Sequence, residues 1–261
     1  MKNSGRLSLL PAERVVRIRD LLAEQGMVTL AEVAAATNAS PATVRRDLAY
    51  LEKRGLLVRT RGGATVVSQR ESRDEEFSRR QSRDRREKRL VAGVAAERLR
   101  EGDTVFLNDG TSVYALAQRM VRSFKGTVIT SGLNIAELLA HSTHVHVIVV
   151  GGHLRGTSFG TIGSLAAQAI SQLHADVAVI ACDGVTATEG VRSNQIEDAA
   201  VARTMSEHAD RTIVLASSSK IENIARVRIV EWSSVDELIA VGITRDLRHS
   251  LRQDSVKATE P

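Results

Sequence analysis

Apolar residues recur along the first third of the chain at the spacing of short helices. Val15, Val16, Ile18, Leu21 and Leu22 form a stripe within residues 12–24 that ends at Gly26, the mark of a helix burying one face. Val28 is a short extended step. Thr29 then stands where it caps a second helix, Leu30 to Thr37, with Leu30, Val33 and Ala34 turned inward. Asn38 and Ala39 suit a tight turn. Ser40 caps a third helix that has Pro41 at its first position, where a missing N–H costs nothing. Val44, Leu48 and Leu51 are its buried side, and Gly55 ends it. Leu56 to Arg59 reads as a strand, Thr60 to Ala64 as a glycine turn, and Thr65 to Val67 as the returning strand. Three helices with a three- to four-residue turn before the third, followed by a hairpin, predict a winged helix-turn-helix over residues 8–67.

The pattern changes further along. Residues 68–88 are dominated by Ser, Arg, Asp and Glu, with Phe77 the lone large apolar residue, and are expected to be a charged linker. From residue 89 helical stretches alternate with strands. An Ala-rich helix spans Leu90 to Leu99, and further helices span 113–121, 133–140 and 197–208. Short runs rich in Val and Ile at 104–107, 127–130, 145–150, 175–181, 212–216 and 238–243 read as buried strands. Such alternation predicts a mostly parallel sheet covered on both faces, hence an α/β domain over 89–246, with 247–261 a polar tail.

Composition narrows the class. Hydrophobic residues make up 43% of the 261 and aromatics only 3%, so the core must be built from Ala, Val, Leu and Ile. No stretch reaches the roughly 18 uninterrupted apolar residues of a membrane helix, and no signal-peptide run opens the chain. Cys182 is the single cysteine, which excludes an intrachain disulfide or a thiolate zinc site and makes a reducing cytoplasm the simplest home. Charge is unevenly placed. Residues 1–89 hold 20 Lys and Arg against 12 Asp and Glu, whereas the remainder holds 16 against 19. A basic head on a mildly acidic body suits a polyanionic partner, although solvated helices alone would give the same count.

The third helix sharpens the reading. Ala42, Thr43, Arg45 and Arg46 lie near its start, off the Val44–Leu48–Leu51 face, where residues of a helix in the B-DNA major groove reach base edges. Arg can donate two bonds to guanine, and Thr or Ser can bond a phosphate. Asp47 is expected to orient Arg46 or a neighbouring backbone group. Arg59, Arg61, Gly62 and Gly63 form the wing. With Thr29, Ser40 and Lys53 they complete the expected contact set for double-stranded DNA. Arg79, Arg80, Arg83, Arg85 and Arg86 are a further source of phosphate contacts.

In open α/β sheets ligands bind beyond the carboxyl ends of the strands. Here those ends carry Asn108-Asp109-Gly110-Thr111-Ser112, Thr130-Ser131, Gly151-Gly152, Asp183 and Lys220. Gly, Ser and Thr at strand-to-helix turns offer N–H and hydroxyl donors to a phosphate. Lys220 adds a point charge, and Asp183 can accept from sugar hydroxyls. Any one such loop is more often only a turn; five in corresponding positions favour a site.

The run Ser40-Pro41-Ala42-Thr43-Val44-Arg45-Arg46-Asp47-Leu48, with Leu51, Gly55 and Arg59-Thr60-Arg61-Gly62-Gly63-Ala64, closely resembles the signature of DeoR-type transcriptional regulators. Gly110-Thr111-Ser112, Gly151-Gly152 with Leu154-Arg155, Gly163, Asp183-Gly184 and Lys220 extend the likeness to about residues 8–245. The resemblance implies a DNA-binding head and a body of the ribose-5-phosphate isomerase-like type. It also implies a phosphorylated sugar or related effector, with Arg155 joining the effector set, and repression of carbohydrate genes by a homo-oligomer. The chain departs from the family's usual Asp at Asn108, Thr at Ser112, Asn at Ser131 and Asp at Ser217.

Other chemistry is less favoured. An isomerase or hydrolase would need a positioned base, for which Asp183 with Lys220 is the available pair. An orphan DNA-binding protein with a vestigial pocket is a third reading. Strand alternation sets His144 and His146 on one face and leaves His141 on a turn, without a nearby carboxylate for a metal. Cys182 lacks a visible His partner. No metal, cofactor or catalytic residue is expected.

Overall fold

The computed structural model describes residues 10–53, 56–60, 62–65 and 77–261, with Ala23 and Lys53 described by backbone alone. The chain forms two compact units divided between residues 74 and 75.

In the first unit, helices α1 (Pro11–Gln25), α2 (Leu30–Thr37) and α3 (Pro41–Lys53) enclose Ile18, Leu22, Val33, Val44, Leu48 and Leu51, all buried. The expected caps form. Thr29 Oγ1 accepts from Glu32 N (3.2 Å) while Glu32 returns a bond to Thr29 N (2.7 Å), the reciprocal box that satisfies two orphan donors. Asn38 takes the left-handed conformation in the turn, and Ser40 Oγ accepts from Thr43 N at 3.2 Å. Strands β1 (Met27–Thr29), β3 (Gly63–Thr65) and β2 (Val58–Thr60) pair antiparallel in that order, and Val28, Leu57 and Ala64 close the core. Only one glycine of the wing pair is sterically required. A Cβ on Gly63 would lie 1.9 Å from the Val28 carbonyl oxygen, whereas one on Gly62 meets nothing within 4 Å. Asp47 does not orient Arg46. It takes a bidentate pair from Arg14, at 2.7 and 3.1 Å, which ties α3 to α1.

The second unit is wound on a seven-stranded, wholly parallel sheet. Its strands are β4 (Thr104–Leu107), β5 (Gly126–Thr130), β6 (Val145–Val149), β9 (Ala175–Ala181), β12 (Ala209–Ala216), β14 (Glu237–Ala240) and β15 (Lys257–Thr259), in the order β15-β14-β12-β9-β4-β5-β6. Helices α5 (Arg85–Ala96), α6 (Thr111–Ser123) and α7 (Leu133–Ala140) cover one face, burying Val91, Ala95, Leu116, Met120, Ile135 and Leu139. Helices α8 (Ser164–Ile170), α9 (Ile196–Glu207) and α10 (Arg245–Gln253) cover the other, with Ile170, Ala202, Met205, Leu247 and Leu251 inward. Burial on both faces explains why β9 reads as a continuous apolar run. A hairpin of β7 (His153–Arg155) and β8 (Gly160–Ile162) and a small antiparallel sheet of β10 (Gly184–Thr186), β11 (Gly190–Ser193) and β13 (Val227–Val230) sit beyond the main strands.

Two expected boundaries move. Residues 77–88, expected to end the linker, belong to the body. Residues 77–82 are helical (α4) and α5 begins at Arg85. Phe77 is buried edge-on against Tyr114 and Phe159, at ring separations of 5.6 and 5.4 Å. The expected polar tail is likewise folded: Leu247, Leu251 and Val256 are buried, and β15 pairs with β14 as the seventh strand. Each segment hides a single narrow apolar face behind many charges, too few apolar positions for periodicity to register.

Two substitutions test this packing. Gly63→Ala should destabilise the head by about 1–3 kcal/mol, while Gly62→Ala stays within about 0.5 kcal/mol. Chemical unfolding followed by circular dichroism reads both. Leu251→Ala should destabilise the body by about 2–5 kcal/mol. A value near zero would mean that residues 247–261 add nothing to the fold.

Candidate functional site

The chain leaves β4 towards β5 and β6, then returns to pair β9 on the other side of β4. The loops leaving β4 and β9 therefore diverge and open a crevice at the strands' carboxyl ends. A cavity of about 250 Å³ lies there.

Its floor is fixed by Asn108. The side-chain amide donates to Ala181 O and accepts from Ala181 N, each at 2.9 Å, joining the ends of β4 and β9. Only a group that both donates and accepts makes this pair, so Asn rather than a carboxylate suits the position. Gly110 follows because a Cβ there would lie 2.1 Å from Ala181 Cβ. Gly110 precedes α6, whose first-turn amides have no intrahelical acceptor and carry partial positive charge. Thr111 and Ser112 line the cavity beside them.

Five cations and four carboxylates line the same space: Arg80, Arg83, Lys88, Arg155 and Lys220, with Asp84, Asp109, Asp183 and Asp198. Several are already engaged. Asp183 accepts from Ser193 Oγ (3.2 Å) and Asn194 N (2.8 Å), and Lys220 stands 3.6 Å away. Arg155 pairs with Asp198. Burial, reinforced by the charge of Asp109, pushes the Asp198 carboxyl well above the usual range against the pull of Arg155. One Asp198 oxygen is buried without a hydrogen-bond partner among the described residues. Asp109 is 8% exposed and accepts no hydrogen bond among the described residues; its carboxylate faces Gly160, where a Cβ would come within 2.3 Å of Oδ2.

Lys88, 5% exposed, donates to the Arg83 carbonyl at 2.6 Å and to the Arg80 carbonyl. Burial pushes its ammonium down to about 8, with Lys220, Arg80 and Arg83 acting the same way and Asp84 opposing. Asp84 accepts from Ser217 Oγ (3.0 Å) and from Ser219 Oγ. Burial acts to raise its pKa, but those hydroxyls and the charges of Lys88 and Arg83 outweigh it and hold the carboxyl below its usual range. Burial also pushes the Cys182 thiol up to about 12, which removes it as a nucleophile near neutral pH.

Of the residues expected around the ligand, Asn108, Asp109, Gly110, Thr111, Ser112, Arg155, Asp183 and Lys220 line the cavity. Thr130, Ser131, Gly151 and Gly152 do not. Thr130 Oγ1 is used on the Leu107 carbonyl and the Gly132 amide, and Ser131 is fully buried. A bridge between Gly132 and Gly160 carries the β7–β8 hairpin across the end of β5. Sequence reasoning missed Arg80, Arg83, Asp84 and Lys88 as cavity residues, along with Asn194 and Asp198. Their one legible signal was Phe77, an isolated anchor inside a charged run.

On the head, Ala42, Arg45 and Arg46 are exposed along α3 and Thr43 is half-buried. Arg59 is exposed beside Glu52, at 3.7 Å. Thr29 and Ser40 serve as caps, Gly63 is pressed on β1, and Gly62 is exposed at the wing turn. Arg61 and the Lys53 side chain lie outside the described residues.

Comparison with known proteins agrees with both halves. The DeoR-like helix-turn-helix domain matches residues 14–70, and the DeoR C terminal sensor domain matches residues 83–240. A protein named for repression of the aga operon in Escherichia coli O157:H7 is 32% identical over 94% of this chain and 92% of its own length. The transcriptional repressor GlcR of Bacillus subtilis is 30% identical over 87% of each chain. A lactose phosphotransferase system repressor of Staphylococcus epidermidis is 31% identical, covering 80% of this chain and 83% of its own. Among solved structures, ribose 5-phosphate isomerase A of Methanocaldococcus jannaschii is similar at 14% identity, with a TM-score of 0.39, over 51% of this chain and 53% of that one. With a helix-turn-helix match at one end, a sensor match over most of the rest and relatives aligned nearly end to end, the chain belongs to the DeoR family of transcriptional regulators.

Proposed function

We propose that the chain is a cytoplasmic, sequence-specific repressor of carbohydrate genes whose hold on operator DNA is set by a phosphorylated sugar or a related metabolite. The head supplies an exposed arginine pair on its recognition helix and a glycine wing. Two heads, brought together as a homo-oligomer, would read half-sites about 34 Å apart or at multiples of that spacing. The observation that carries the effector half is the gathering of five cationic side chains and a helix start around one cavity at the switch point. A phosphate there meets charge, hydroxyls and free amides together. Asp109, buried and without a donor among the described residues, suits a hydroxyl of the same ligand. The relatives' names, which refer to the aga operon and a lactose phosphotransferase system, support a sugar-related target.

Binding of the chain's own promoter fragment, followed by fluorescence anisotropy with and without sugar phosphates, tests the whole reading. Equal affinity for promoter and arbitrary duplex, or no effect of any sugar phosphate, would sink it. Arg46→Ala should weaken operator binding by about 1–3 kcal/mol and flatten base preference at one position of each half-site. A loss that is uniform across sequences would reduce Arg46 to a phosphate contact.

The pH dependence follows from Lys88. A phosphate ester completes its second ionisation near pH 6, so above pH 7 the ligand's charge is constant. Lys88 is cationic below about 8 and neutral above it. Affinity for the phosphorylated ligand should therefore fall as pH rises from 7 to about 9.5, by roughly ten-fold. Lys88→Met should bind more weakly at pH 7 and lose most of that decline, the remainder coming from the ionisation of Asp198 on the same cavity, which is pushed up to about 7. Titration calorimetry across the range decides it.

A further inference from the structure

Asp84 stands at the turn between α4 and α5 with φ 54°, a left-handed backbone that L-residues other than Asn and Asp seldom adopt. It is the residue before the first turn of α5, the usual place for a capping carboxylate, yet its side chain makes no cap. The carboxylate reaches instead across the sheet end to Ser217 Oγ and Ser219 Oγ, residues more than 130 positions away. Arg83 Nε is 3.9 Å from it, and Lys88 is near enough to hold its charge. Ser219 and Lys220 line the cavity together with Asp84 itself.

Hydroxyl donors at a strand-end turn, flanked by ammonium and guanidinium groups, are what a phosphate requires. A carboxylate already occupies them. Resting on the reading of this cavity as an effector site, we propose that Asp84 is a built-in anion that holds the pocket's Ser219, and the buried Ser217 beside it, in the unliganded protein. The ligand's phosphate displaces it and frees the α4–α5 turn. A dianion is attracted more strongly than a monoanion to the same donors and the cations beside them. The left-handed turn gains a second reason to move once its carboxylate is released. Segment 77–88 is the part of the body that follows the DNA-binding head in sequence. Glu87 provides an internal comparison. It grips Ser218 at both N (2.7 Å) and Oγ (2.9 Å), on the same loop, but it does not line the cavity.

The test uses the full chain with inorganic phosphate as probe, by titration calorimetry at pH 7. Asp84→Asn keeps the size and tolerates the left-handed turn while removing the charge. Asp84→Gly suits that backbone without any side chain and guards against a folding defect in the first variant. Both should bind phosphate at least about ten-fold more tightly than the natural chain. Without phosphate, both should also show the promoter affinity that the natural chain shows only when phosphate is saturating. Glu87→Gln should bind phosphate within about two-fold of the natural chain. Phosphate affinity that is unchanged or weaker in both Asp84 variants overturns the built-in anion while leaving the effector site standing. Equal tightening by Glu87→Gln overturns it too, because loosening of the loop would then suffice. Phosphate bound by neither the natural chain nor the variants removes the effector site, and this inference with it.

Discussion

The body is organised by the reciprocal pair of hydrogen bonds between the Asn108 amide and the backbone of Ala181. In a parallel sheet the strands flanking a switch point send their loops opposite ways, and the backbone ladder stops where the loops begin. Asn108 continues the ladder by one side-chain step. That holds the ends of β4 and β9 together just where the cavity opens. Gly110 then packs within a methyl's reach of Ala181, which fixes where α6 starts and so where its free amides lie. A change at Ala181, itself on the cavity wall, would thus also act on the pocket through two neighbours.

Charges around the cavity obey the same economy. Ion pairs held away from water contribute little net stability because desolvation offsets their attraction. Arg155 with Asp198, and Lys220 with Asp183, are therefore weak arguments for stability and stronger ones for positioning. Each carboxylate holds a cation in place without removing it from the cavity. Lys88 is held differently, by two carbonyls at the end of α4, so one buried ammonium both closes that helix and faces the pocket. Carbonyls at a helix end carry partial negative charge, and a cation is favoured there.

Much of this was legible in the sequence, for identifiable reasons. The caps at Thr29 and Ser40, the turn at Asn38 and the continuous apolar strand Ala175 to Ala181 are local features, set by residues within a few positions of one another. Asn108, Asp109 and Lys220 come to line one cavity because loops at strand ends converge in this architecture whatever their composition. What failed was long-range. Asp47 meets Arg14 across 33 positions, Arg80 donates to the Thr157 carbonyl across 77, and Asp84 meets Ser217 across 133. None of these pairs leaves a periodic trace. Residues 77–88 look like a solvated linker because Lys and Arg bury their stems and show charge only at their tips. Thr130, Ser131, Gly151 and Gly152 looked like ligand donors, yet the β7–β8 hairpin caps that half of the sheet. Its short strands carry too few apolar residues to announce themselves.

The polar side chains also divide by whether the fold already uses them. Thr29, Ser40, Asp47, Asn108 and Thr130 satisfy backbone or ionic partners within the chain, and their substitution would register first as lost stability. One oxygen of Asp198 is buried without a hydrogen-bond partner among the described residues, and Asp109, 8% exposed, lines the same cavity. A buried acceptor left without a donor costs free energy that a folded chain rarely carries without cause. Both line the cavity together with cations that suit an anion, a combination that a ligand bearing hydroxyls and a phosphate would answer. A sugar phosphate has both ends. The same logic separates the head's residues, where the caps serve the fold while Arg45 and Arg46 are exposed and without an ion pair among the described residues.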